Sequence, residues 1–140
     1  MTGDERELWS VVEGMFAAFT DGRTHDIDSA LADECTVWDV FEPTLIRSRA
    51  ERDAFHVRDQ AQARARGPLS LRLEPLLISR FDDFGIVRYH VHFEYAQPNA
   101  TAGHVRVTDV LRRCGKRWQI VHHHEGMRPA GPPPYTLAPQ

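Results

Sequence analysis

Between Glu5 and Phe19 the apolar residues Leu8, Val11, Val12, Met15, Phe16 and Phe19 recur at three- and four-residue steps, which predicts an amphipathic helix with one buried stripe. Thr20-Asp21-Gly22 closes it. A short second helix fits residues 26–32, with Ile27, Ala30 and Leu31 facing inward. The segment CTVWDVF then turns to β-branched and aromatic residues, so a strand is expected over 35–41, ended by Pro43. Ser48, with Glu51 three residues later, reads as a capping box that opens a third helix, and Gly67-Pro68 stops that helix near Arg66.

After Pro68 the period falls from 3.6 to 2. Strands are expected over 69–80, 85–96, 103–113 and 117–125, joined by loops at Asp82-Asp83, Pro98-Asn99 and Gly115. The order α-α-β-α-β-β-β-β predicts an α+β domain, with helices gathered on one side of a curved antiparallel sheet. The domain covers residues 1–126. Residues 127–140 form a Pro-rich C-terminal stretch, with five prolines in the last thirteen residues, and are expected to extend as an arm rather than continue the sheet.

At 140 residues the chain is sized for one domain that can bury a core without metal or disulfide support. Its net charge of -3 supplies no basic field for phosphates. The Arg-dense stretch from Arg49 to Arg66 interleaves Glu51, Asp53 and Asp59, the pattern of a solvated helix face, so no nucleic-acid partner is expected. The longest apolar run, Met15 to Phe19, is far shorter than a membrane span, so no membrane association is expected either. The acidic MTGDEREL start lacks a secretory layout, and Cys35 and Cys114 have neither disulfide nor metal spacing, which together point to the cytoplasm.

The two faces of strand 85–96 differ. Val87, Tyr89, Val91, Phe93 and Tyr95 lie on one, and Arg88, His90, His92 and Glu94 on the other, so the odd-numbered face goes under the helices. Strand 103–113 repeats this with Val105, Val107 and Leu111, which places Asp109 on the apolar side. Asp39 shares a face with Val37 and Phe41. A carboxylate on such a face is either bonded structure, as in a pair between Asp39 and an arginine such as Arg47, or a group held in a cavity with a raised pKa. The last strand is ambiguous: Trp118, Ile120, His122 and His124 alternate with Gln119, Val121, His123 and Glu125, and one bulge reverses the phase.

The segments VVEGMFAAFTDGR, ALADECTVWDVFEP, YHVHFEYAQ and TDVLRR, in that order, resemble the ketosteroid isomerase branch of the nuclear transport factor 2-like superfamily. The ending GKRWQIVHHHEG is similar to the SnoaL-like polyketide cyclases. The resemblance implies a cone-shaped sheet wrapped around three N-terminal helices, a deep and mostly apolar cavity, and a homodimer formed through the outer sheet face. Carried over residue by residue, it makes Asp39 the general base and Asp109 the protonated acid that donates to a developing oxyanion, a pair for which ketosteroid isomerase is a general worked case. Met15 stands where the family's oxyanion-hole tyrosine would fall and cannot donate a hydrogen bond. The same alignment turns His123 and Glu125 toward the cavity and His122 and His124 away from it.

These readings together give a catalytic set of Asp39, Asp109 and His123, with His123 an acid/base group that titrates near neutrality. The substrate-binding set is Met15, Phe19, His56, Tyr89, Val91, Phe93, Val107, Val121 and Glu125. The expected function is cofactor-free acid/base catalysis (isomerase, aldol-type cyclase or dehydratase) on a hydrophobic carbonyl compound, against a non-catalytic ligand- or partner-binding domain. A third reading has a divalent metal held by His90, His92, His122 and His124, two in-phase histidines on each of two strands. A homodimer is expected because an even-numbered sheet face carrying Trp118 and Ile120 beside Thr108, His122 and His124 suits an interface.

Overall fold

The computed structural model describes residues 1–97 and 100–135. The elements follow in the order α1 (Gly3–Thr20), α2 (Thr24–Ala30), β1 (Leu31–Trp38), α3 (Arg49–Ala63), β2 (Leu69–Phe81), β3 (Phe84–Tyr95), β4 (Thr101–Cys114) and β5 (Arg117–Met127). They build one five-stranded sheet in the order β1-β5-β4-β3-β2. The four C-terminal strands pair antiparallel as expected, whereas β1 joins β5 in parallel and makes the sheet mixed.

Thr2 caps α1 by accepting from the Glu5 backbone N–H at 3.2 Å, which satisfies one of the helix's orphan donors. The helix buries Leu8, Val12 and Met15 in one core cluster with the odd-numbered residues of β3 and β4. Val87, Tyr89, Val91 and Phe93, then Val105, Val107 and Leu111, are all buried, as period-2 alternation demands. On α3, Ser48 accepts from the Glu51 N–H, but the Glu51 carboxylate reaches back to the Arg47 N–H, one residue short of a closed capping box. Gly67 is required where α3 hands over to β2. A Cβ there would lie 2.1 Å from the Ala96 carbonyl oxygen, so no larger residue fits without moving backbone.

Expectations for the first and last strands are corrected. The first strand runs over Leu31–Trp38 rather than 35–41, so Asp39 sits just past its end, and Phe41 is 64% exposed instead of sharing a buried face with Val37. The pairing shifts between Val110↔His122 and Leu111↔Ile120, leaving Val121 as an extra residue on β5. This bulge turns Trp118 and Ile120 inward together with His123, where Trp118 is 5% and Ile120 0% exposed. The apolar pair that suggested a dimer surface is therefore core. Beyond Met127 the described part of the Pro-rich stretch forms no helix or strand, and its residues 136–140, like the Pro98-Asn99 loop, lie outside the described residues. Among the described residues no helix is long and apolar enough to cross a membrane.

Candidate functional site

The inward faces of β3, β4 and β5 carry three polar side chains in an otherwise apolar core. Tyr89, Asp109 and His123 are 1%, 0% and 6% exposed. Strand register aligns them, because Asp109 pairs directly with His123 across β4 and β5, while β3 places Tyr89 two residues along from Asp109's partner Val87. The Tyr89 hydroxyl donates to Asp109 Oδ2 at 2.5 Å, and His123 Nδ1 donates to Asp109 Oδ1 at 2.5 Å. His123 Nε2 donates to Glu125 Oε2 at 2.8 Å, and Glu125 Oε1 accepts from the Val40 N–H at 3.1 Å. The row ends at Asp39, which hydrogen-bonds Glu125 and accepts the Phe41 N–H at 2.9 Å. A continuous hydrogen-bonded relay thus runs from the sheet interior to the turn after β1.

Charges along this relay follow from burial and neighbours. Burial disfavours the His123 cation, but the Asp109 and Glu125 carboxylates on its two nitrogens overcome that and raise its pKa well above the ordinary imidazole value. Burial works to raise Glu125 as well, yet its hydrogen bond to His123 and that group's charge hold it below the usual carboxylate range. Asp39 has no comparable partner. Burial first and the Glu125 charge second push its pKa up to about 7, against a pull from the Phe41 N–H. Tyr89 is raised by burial and by the Asp109 charge, so it stays a donor.

Two cavities meet at this end of the relay. One, of about 100 Å³, lies between α1, α3 and the sheet and is walled by Met15, Phe16, Phe55 and Ile46, with Asp39, His123 and Glu125 among its lining residues. The other, of about 240 Å³, shares Phe16, Phe19, Phe55, Asp39 and Glu125 with the first and continues past Val91 and Phe93 to Tyr95 and Arg66. Asp39 and Glu125 are the two carboxylates common to both.

The smaller cavity also has a polar wall from α3. Arg52 is 2% exposed; its Nη1 donates to the carbonyls of Asp33 at 3.1 Å and Cys35 at 3.0 Å, while its Nε, also buried, has no partner among the described residues. One turn on, His56 Nε2 is buried and unpartnered too, and burial holds its pKa below the ordinary value. Unsatisfied buried polar atoms are costly, and both of these belong to residues that line the smaller cavity.

Of the expected substrate-binding residues, Met15, Phe19, His56, Val91, Phe93 and Glu125 line one or both cavities. Tyr89, Val107 and Val121 do not. Tyr89 is enclosed edge-on by Trp9 and Phe16, Val107 is core, and Val121 is the bulge residue. Asp109 lies behind the cavity wall with one oxygen bonded to Tyr89 and the other to His123, so it cannot itself meet an oxyanion, and the relay reaches the cavity through His123. Asp39 is not paired with Arg47, which turns to Glu51. Arg52, Phe16 and Phe55 are additions. Arg52 and His56 sit four apart on one helix face with Phe55 between them, an i, i+4 signal hidden by reading every arginine of α3 as solvated.

The histidines do not gather as expected. His122 bonds Thr36 Oγ1 at 2.7 Å, and β4 lies between the β5 pair His122–His124 and the β3 pair His90–His92, separating them by about 10 Å of sheet.

The geometry has counterparts among known proteins. No curated protein matches the chain. Among solved structures, a protein of unknown function from Pseudomonas putida, described as NTF2-like, is 21% identical and superposes with a TM-score of 0.77 over 90% of this chain and 87% of its own. A putative dehydratase from the NTF2-like family of Streptomyces avermitilis is 15% identical, with a TM-score of 0.77 over 89% of this chain and 97% of that one. A CaMKII hub from S. rosetta is 18% identical, with a TM-score of 0.72 over 91% and 99%. At such identities the likeness establishes the cone-shaped, NTF2-like α+β fold. The SnoaL-like domain family matches residues 9–128, and the chain belongs to that family.

Proposed function

We propose that the protein is a cofactor-free acid/base enzyme that removes a proton from the carbon beside a carbonyl in a small hydrophobic molecule, with Asp39 as the base. The observation that carries this reading is the position of Asp39 at the junction of two cavities, the smaller of them largely apolar, with a pKa of about 7 that lets it be both a free base and a returning acid near neutrality. The Asp39 carboxylate takes the α-proton and leaves an enolate, whose negative oxygen accepts from the vacant Nε–H of Arg52 and from His56. This replaces the donor that Met15 cannot supply. Delivery of the proton to a different carbon gives isomerisation, loss of a β-hydroxyl as water gives dehydration, and addition to a second carbonyl gives cyclisation. All three share the first step, which is the step assigned to Asp39.

His123 and Asp109 act as positioning residues. Both His123 nitrogens are occupied, so its cation anchors Glu125, and the Glu125 charge in turn keeps Asp39 basic. A second reading, ligand binding without turnover, is favoured by the same occupancy, since the relay is satisfied internally without a ligand.

The two readings part on α-proton exchange. Small aryl and alicyclic ketones incubated in D2O with the protein should lose their α-proton NMR signals faster than with buffer, whereas ligand binding with no exchange above buffer would support the second reading. Substituting Arg52→Met keeps the apolar stem but deletes the donor. Calorimetry on the ketones that bind should then show an affinity loss of about tenfold or more, the usual scale of a hydrogen bond from a charged group. Unchanged affinity would remove Arg52 from the site.

A further inference from the structure

On the outer face of the sheet, opposite the cavities, three histidines and one carboxylate from three adjacent strands converge. We propose that Glu74 of β2, His90 and His92 of β3, and His104 of β4 form a site for one divalent metal ion of the zinc class, separate from the acid/base relay.

Strand register builds it. Glu74 pairs with His90 across β2 and β3, and His92 pairs with His104 across β3 and β4, so all four side chains rise from one patch of one face. The Cα atoms of two residues alternating on one strand stand about 7 Å apart, but the rings of His90 and His92 close to 6.2 Å and His104 stands between them, its ring centroid 4.2 Å from each. Glu74 Oε1 lies 3.0 Å from His92 Nε2 and 3.4 Å from His90 Nδ1, so one carboxylate oxygen already faces two imidazole nitrogens. One ligand atom from each of the four residues can be chosen so that all lie within 4.8 Å of one another. Tetrahedral coordination with metal–nitrogen bonds of about 2.0 to 2.1 Å needs ligand separations of roughly 3.4 Å, and side-chain rotation covers the remaining difference.

A second observation points the same way. His104 Nε2 is buried and, among the described residues, has no hydrogen-bond partner, a cost that a bound ion would relieve. Three imidazoles and one carboxylate are the ligands that suit zinc-like borderline ions. Arg72 and Arg106 pair with His92 and His90 on this face, and Arg128 Nη1 approaches His104 Nδ1 at 3.5 Å. These cations oppose a metal through solvent-screened charge only, against four direct bonds, whereas a cluster serving merely as a polar contact surface has no need of the shared carboxylate.

The test uses the full chain, freed of any affinity tag and of metal, titrated with Zn2+ by calorimetry and with Co2+ by visible absorption. The proposal expects about one equivalent per chain, the intense bands of four-coordinate cobalt, and a raised melting temperature, because a ligand specific for the folded state stabilises it. Replacing His104→Gln, and independently the half-exposed Glu74→Gln, should weaken binding by about tenfold or more, while His122→Gln on β5 should change nothing. Melting curves in chelator show that each variant is folded. Binding of less than about a tenth of an equivalent without a thermal shift, wild-type affinity in both cluster variants, or an equal loss in His122→Gln would each overturn the site.

Discussion

Replacing Asp39→Asn is expected to lower α-proton exchange of a bound ketone by about two to four orders of magnitude, the span that a positioned general base contributes. The amide keeps an oxygen for the Phe41 N–H but has no basic lone pair for the substrate. Stability should move the other way. A carboxyl whose pKa rises from 3.8 unfolded to about 7 folded binds more protons in the native state, so the wild-type fold loses stability as pH climbs between those values. Asparagine escapes that cost. The variant should melt at about the wild-type temperature near pH 4 and above it near pH 8. An Asn variant with full exchange activity and a lower melting temperature at pH 8 would make Asp39 a structural residue.

Removing Asp109 should be the most destabilising change in the relay. Substitution to Ala leaves the buried His123 cation facing only Glu125 and leaves the Tyr89 hydroxyl without its acceptor. Breaking a buried pair from one side costs about 3–5 kcal/mol, which for a chain of this size lowers the melting temperature by on the order of 10 °C. The sign with pH is defined. Because the folded His123 pKa is raised, its pairing stabilises fully below the unfolded value near 6.5 and is lost as pH rises through the folded value. The gap between wild type and Asp109→Ala should therefore be widest near pH 6 and shrink in alkali. Thermal melts across pH check this, and a pH-independent gap of under about 1 kcal/mol, no larger than one neutral hydrogen bond, would show that His123 is not held as a cation by Asp109.

Local pattern revealed those parts of the molecule that local pattern controls. The alternation along β3 and β4 put Tyr89, Val107 and Asp109 inside, and the 3.6 period put Leu8, Val12 and Met15 of α1 in the core as well. What local pattern could not carry was long-range pairing. Nothing in residues 31–38 announces that they lie parallel to β5, and that pairing places Asp39 beside Glu125. The phase of β5 turned on the extra residue Val121, which the alternation of Trp118, Ile120, His122 and His124 conceals. Arg52 was missed because a buried arginine and a solvated one have the same neighbours in sequence; only the carbonyls of Asp33 and Cys35, contributed by β1, explain its place. The outer-face cluster was half visible, since His90 and His92 were in phase, but Glu74 and His104 join them only through sheet register.

The claim on which the functional account rests is that Asp39 is a carboxyl poised near neutrality in a ligand cavity. Its side-chain carboxyl can be followed by 13C NMR as a function of pH, assigned by comparison with Asp39→Asn, with and without a bound hydrophobic ketone. The account predicts a midpoint of about 7 in the free protein, which shifts when the ketone occupies the cavity. A midpoint near the ordinary aspartate value of 3.8, unmoved by ligand, would contradict it.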